Sequence, residues 1–98
     1  MKVKFTLSAR ERYLEEGAKF LDIGPSTAIS FIEKTETAIH RLEQFPESGQ
    51  KVTELPDLQY RQIIVGDYRF FYRTGENELW IVGLWHHKQD LVNPESDS

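Results

Sequence analysis

YRQIIVGDYRFFYR, residues 60–73, decides the fold. Apolar and aromatic residues crowd both sides of Gly66-Asp67, a pair that suits a tight turn, so the stretch reads as two β-strands of a hairpin. A period of two puts Arg61, Ile63 and Val65 on one face of the first strand and Tyr60, Gln62 and Ile64 on the other. In the second strand, Arg69, Phe71 and Arg73 oppose Tyr68, Phe70 and Tyr72. Guanidinium groups among so many apolar neighbours either cap a solvated sheet face or point at an anion. The expectation is a cationic spot formed by Arg61 and Arg69 on a sheet face that the rest of the chain leaves uncovered.

Working outward, the first of these strands extends back to Leu58, and Leu79 to Trp85 reads as a third after the turn Thr74-Gly75-Glu76-Asn77. Short turns make neighbours antiparallel, so the three runs form a meander. At the other end, Val3, Phe5 and Leu7 alternate with polar residues, as in a half-buried strand. Ser8 with Glu11 three residues later fits a capping box that opens a helix, whose core face is expected at Ala9, Tyr13, Gly17, Phe20 and Leu21. Gly24-Pro25 interrupts it: Gly accepts positive φ, and Pro has no N–H to give inside a helix. A second helix is predicted from Ser26 to about Phe45, with a stripe of Ala28, Ile29, Ile32, Ala38, Ile39, Leu42 and Phe45. Pro46 and Gly49 stop it, and Gln50 to Asp57 reads as a connecting loop or short edge segment. The order β-α-α-β-β-β describes an α+β two-layer sandwich, a helical hairpin packed on one face of an antiparallel sheet.

The chain has 98 residues, one domain's worth, with no cysteine, which removes disulfides, thiol catalysis and thiolate metal sites. No apolar run approaches a bilayer span and the first residues lack the core of a signal peptide, so a cytoplasmic address without membrane attachment is expected. Twelve Lys and Arg against sixteen Asp and Glu give a net charge of −4, a poor global field for nucleic acid.

Few groups carry recognisable chemistry. His86 and His87 are adjacent, so a strand turns them to opposite faces, and spacing supplies neither a third ligand nor a metal site. His40 falls within the long helix as a surface residue. Trp80 and Trp85, five apart, are expected on opposite sheet faces. No Gly-rich phosphate loop is present, and no cofactor is implied.

Three stretches, AIHRLEQFPESGQKV, TELPDLQYRQIIVGDYRFFYR and ELWIVGLWHHKQDL, together resemble the RelE/ParE toxins of bacterial type II toxin–antitoxin pairs. The ordered set is a helix, Pro-Glu-x-Gly, Tyr-Arg, Gly-x-Tyr-Arg-x-x-Tyr and a hydrophobic strand ending in His. The resemblance spans about residues 3 to 91, implying a toxin domain over 1–92 with a flexible acidic tail at 93–98. It implies a growth-arresting plasmid-stabilisation toxin, bound by a short antitoxin with a DNA-binding part and a segment that folds as helix or strand on the open face or helical hairpin. The toxin and antitoxin would form a hetero-oligomer. In the ParE branch the target is DNA gyrase, held by protein–protein binding without catalysis. In the RelE branch the protein is an endoribonuclease cutting messenger RNA in the ribosome, and a degenerate member would keep antitoxin binding alone. As a ribonuclease this chain would use Arg61, Arg69, Tyr72, His86 and Lys88, the arginines for phosphate and Tyr72 or His86 for proton transfer. Gln89 stands where the family tends to a second base. That loss and the acidic balance favour the ParE-like reading.

Overall fold

The structure is a computed structural model, and it describes residues 1–87 and Glu95. Its elements are β1 (Lys2–Phe5), α1 (Leu7–Ile23), α2 (Pro25–Gln44), β2 (Gln50–Lys51), β3 (Arg61–Val65), β4 (Tyr68–Thr74) and β5 (Glu78–His86). The β-α-α-β-β-β order holds, and the segment read as a connecting loop or short edge segment contributes the two-residue edge strand β2. Leu58 to Tyr60, expected in β3, lie outside it. Strand order is β1-β5-β4-β3-β2. The meander is antiparallel, whereas β1 joins β5 in parallel.

Helix α1 opens two residues earlier than the capping-box pattern implies. Thr6 is the cap, its hydroxyl accepting from the Ala9 N–H at 3.3 Å, and Ser8 lies inside the helix. The reason lies in the sheet: the Thr6 N–H donates to the Ile81 carbonyl at 3.0 Å, ending the β1 ladder at the residue that begins the turn into the helix. At the other end, the Gly24 N–H closes α1 on Phe20, while the Gly24 carbonyl receives the first bonds of α2 from Thr27 and Ala28. Gly24 is extended (φ 165°), so the positive φ expected there is not used. Pro25 occupies the first turn of α2, where its missing N–H costs nothing.

Both helices are rotated relative to the stripes read from sequence. In α1, Ala9 and Glu16 are buried with Tyr13 and Phe20 packed against the core, while Leu21 is exposed. In α2, Ala28, Phe31, Thr35 and Leu42 are buried, while Ile29, Ile32 and Phe45 are exposed. Phe31 anchors the layer, its ring meeting those of Tyr13, Phe20 and Tyr68 at 4.8–5.5 Å. The Thr35 hydroxyl is satisfied by the Phe31 carbonyl one turn back, which lets a polar side chain be buried without loss.

The sheet face away from the helices is covered rather than open. Val52, Tyr60, Phe71 and Val82 form a second, smaller buried cluster with Leu55, Leu58, Trp80 and Trp85 packed on it. The segment between β2 and β3 closes this side. Trp80 and Trp85 therefore share one face, against the alternation expected from their spacing. A β-bulge explains it: Phe71 pairs with Gly83 but Tyr72 pairs with Ile81, so Val82 is the extra residue that resets the period. Of the tail expected over 93–98, Glu95 alone is described. Its carboxylate accepts from the Tyr60 hydroxyl at 2.6 Å and pairs with Arg73 at 2.9 Å.

The buried Glu16 carboxylate ties α1 to the β3–β4 turn. It accepts from the Tyr68 hydroxyl at 2.5 Å, and Lys19 and Arg12 stand 3.1 and 3.4 Å away. Burial pushes the carboxyl up, but the bonds from Tyr68 and Lys19 and the charges of Arg12 and Lys19 outweigh it, so it titrates below its ordinary value of 4.5. Burial and the same carboxylate push the Tyr68 phenol up to about 12. A carboxyl whose folded pKa is depressed stabilises the fold above its unfolded pKa and loses that contribution as pH falls through the folded value. Glu16→Gln is expected to cost about 1–3 kcal/mol at pH 7. The gap between variant and wild type should narrow below pH 4.5, measured by urea denaturation at a series of pH values.

Candidate functional site

The Phe45–Lys51 segment meets the sheet where β3 begins and β4 nears its end, and Tyr72 is the post around which it is built. Tyr72 is fully buried. Its hydroxyl donates to the Pro46 carbonyl and accepts from the Gly49 N–H, both at 2.9 Å. Burial is the main cause that pushes its phenol up. Gly49 has no room for a side chain: a Cβ there would lie 2.5 Å from the Tyr72 oxygen and 2.7 Å from the Gln62 carbonyl. The Gly49 carbonyl in turn accepts from the Arg61 guanidinium at 2.8 Å. Pro-Glu-x-Gly, Tyr-Arg and the last Tyr of Gly-x-Tyr-Arg-x-x-Tyr thus converge on one junction.

Arg61 and Arg69 do not form a joint cationic spot. Arg61 pairs across the sheet with Tyr72, which places it on the helix side with Ile63 and Val65. Arg69 lies on the opposite face, its guanidinium 5.2 Å from the centre of the Phe71 ring. Its Nε donates to the Gln62 side-chain amide oxygen Oε1 at 2.5 Å, and an ion pair joins it to Glu54 at 3.1 Å. The hydrogen bond from Arg69 holds the Glu54 carboxyl below its ordinary range.

His86 pairs with Tyr68 at the far end of β4, with ring centres 5.5 Å apart and edge to face. Four residues of strand separate Tyr68 from Tyr72, roughly 13 Å. The His87 ring stacks on His86 at 4.5 Å, and the His87 N–H donates to the Asp67 carbonyl at 2.9 Å. The two imidazoles therefore lie together despite their strand alternation, because the chain leaves β5 after His86. His40 is on the exposed side of α2, 3.7 Å from Glu43. Lys88 and Gln89 lie outside the described residues. Among the described residues no cluster of three or more His, Asp or Glu could hold a metal ion. The candidate residues are thus spread over two sheet faces and both ends of the hairpin, and the phenol offered for proton transfer is enclosed.

The remaining exposed feature is apolar. Leu7, Leu14 and Leu21 repeat every seven residues along α1 and are 72%, 59% and 59% exposed. That spacing keeps them on one helix face, about 20° of drift per repeat. Ile23, Ile29 and Ile32 add exposed aliphatic surface around the helical hairpin. Sequence reading assigned Leu21, Ile29 and Ile32 to the core. The seven-residue repeat was the signal that a second apolar face existed.

The family model described as ParE toxin of type II toxin-antitoxin system, parDE, matches residues 3–91. No match was found among curated proteins. The match takes in the Tyr72 junction and both helices.

The junction makes two substitutions informative. Gly49→Ala is expected to destabilise by about 1–3 kcal/mol through overpacking against Tyr72. Tyr72→Phe should cost about 1–3 kcal/mol because the buried Gly49 N–H is left without an acceptor. Denaturant titration gives both values, and the double variant should fall short of the sum because the two residues share one contact.

Proposed function

The chain belongs to the ParE toxin family of type II toxin–antitoxin systems, and from that premise we propose that it arrests growth by binding DNA gyrase through surface complementarity rather than by cutting RNA. Its partner as a family member is a cognate antitoxin. The observation that carries the gyrase reading is the dispersal of Arg61, Arg69, Tyr72 and His86. A ribonuclease site needs a base, an acid and phosphate-binding cations around one scissile bond. Here Tyr72 is enclosed with both hydroxyl bonds spent, Arg69 is committed to Glu54 and Gln62, and Arg61 and His86 stand at opposite ends of the hairpin. The net charge of −4 adds repulsion toward ribosomal RNA. Binding a protein target requires none of that convergence.

The antitoxin is assigned to the helical hairpin. The second sheet face carries its own buried cluster, which leaves the Leu7, Leu14 and Leu21 stripe as the apolar surface without a partner inside the described chain. An amphipathic helix ordered on binding suits a straight stripe of this period.

Purified protein added to gyrase and relaxed plasmid should abolish supercoiling or trap cleaved complexes. Intact supercoiling together with messenger RNA cut in the A site of programmed ribosomes would replace this reading with the RelE-like one. Leu14→Glu with Leu21→Glu should weaken antitoxin binding at least about 100-fold, as anchor residues do. The melting temperature should be preserved, since both side chains are exposed. Calorimetric titration with the antitoxin checks it.

A further inference from the structure

Lys51 and Arg61 are direct cross-strand partners in the β2–β3 ladder. Residues opposite one another in an antiparallel pair project from the same face with Cβ atoms about 5 Å apart, and like charges so placed repel. Elsewhere on the sheet, Lys4 pairs with Glu78, Arg69 with Glu54 and Arg73 with Glu95. Neither Lys51 nor Arg61 has a carboxylate within ion-pair distance among the described residues. Arg61 is held in place by one donor on the Gly49 carbonyl, which positions the guanidinium while spending little of its capacity.

Both cations line a cleft of about 610 Å³ at the edge of the sheet. Val52, Pro56 and Leu58 give it apolar wall, and Glu47 contributes one opposing charge. Strand β2 is the last in the sheet, so its outer backbone edge has no strand neighbour among the described residues.

We propose that this cleft binds an extended, carboxylate-bearing segment of a protein partner. The segment places an acidic side chain between Lys51 and Arg61, an aliphatic side chain against Pro56 and Leu58, and its backbone along the free edge of β2. The carboxylate offsets the repulsion built into the ladder. A nucleic acid strand fits less well. The aromatic residue of the cleft, Tyr60, is 8% exposed with its hydroxyl held by Glu95, so it offers no stacking platform. Glu47 also opposes a continuous run of phosphates. The site is separate from the helical hairpin and from the choice of gyrase as target, so it stands or falls independently of both.

The test is an NMR titration of the full ¹⁵N-labelled chain with three probes: a capped hexapeptide of alternating Val and Glu, the same peptide with Gln for Glu, and hexathymidylate. The Val-Glu peptide is expected to shift the amides of Lys51, Val52 and Arg61, and the Gln peptide to bind about tenfold more weakly. Lys51→Glu should abolish binding while raising the melting temperature by roughly 2–6 °C, because it turns a repelling pair into an attracting one. Lys51→Arg should bind as wild type does. Equal affinity for the Gln peptide, tighter binding of hexathymidylate at the same amides, or unchanged affinity in Lys51→Glu would each overturn the proposal.

Discussion

The hydroxyl of Tyr72, shut inside the protein with one hydrogen bond given and one received, sets the geometry of half the molecule. It stands between the end of α2 and the start of β3 and satisfies a carbonyl on one side and an N–H on the other. A buried phenol in this position is tolerable only if both bonds are made, since each orphaned group would forfeit its hydration without return. The Gly49 backbone must therefore approach closer than any side chain permits. That approach brings the Gly49 carbonyl within reach of Arg61 and starts β2 at the next residue. One enclosed oxygen thereby places an edge strand, an arginine and the cleft beside them.

The hairpin of Tyr60 to Arg73 was legible because its turn and its alternation are both local. Gly66 adopts φ +60°, as a two-residue turn requires, and the predicted faces of β3 and β4 hold. What failed came from combining strands. Each arginine was placed correctly on its own strand relative to its neighbours, yet pairing Arg61 with Tyr72 puts it on the helix side and leaves Arg69 on the other. Trp80 and Trp85 misled for a related reason: alternation presumes an unbroken ladder, and one extra residue at Val82 cancels it. The trace the bulge leaves in sequence is Gly83 beside the extra Val82, since a glycine inside a strand often marks a bulge.

The helices were legible as helices and not as faces. Leu, Ile and Phe were taken as inward, but α1 has two apolar sides, and the inward one contains Glu16. A buried carboxylate is costly unless its partners are assembled; Arg12 and Lys19 stand one turn away on α1 itself, while Tyr68 arrives only once α1 lies on the sheet. Tertiary satisfaction of this kind cannot be read from hydropathy. The same holds for Tyr72, whose hydroxyl suggests chemistry in sequence and serves, like that of Tyr68, as a strut in the fold. Of the alternatives open for Arg61 and Arg69, structural pairing against contact with an anion, Arg69 takes the first in its ion pair with Glu54, while Arg61 donates to the Gly49 carbonyl and faces Lys51 across the ladder.

Surface leucines at seven-residue spacing are a costly feature that the isolated chain leaves uncompensated. Fully burying a leucine is worth about 1.5–3 kcal/mol, so Leu7, Leu14 and Leu21, which are 72%, 59% and 59% exposed, together represent roughly 3–6 kcal/mol that folding alone does not collect. A helix that orders as it binds gives back about 2–5 kcal/mol or more of the gross gain. The stripe alone therefore supports weak to moderate association, and tight neutralisation needs a second contact on the same peptide. Joining two modest contacts through one chain raises affinity by mass action, because the second forms at a high effective concentration. A toxin held in this way would be released most readily by breaking the segment between the two contacts, since each alone is too weak to persist.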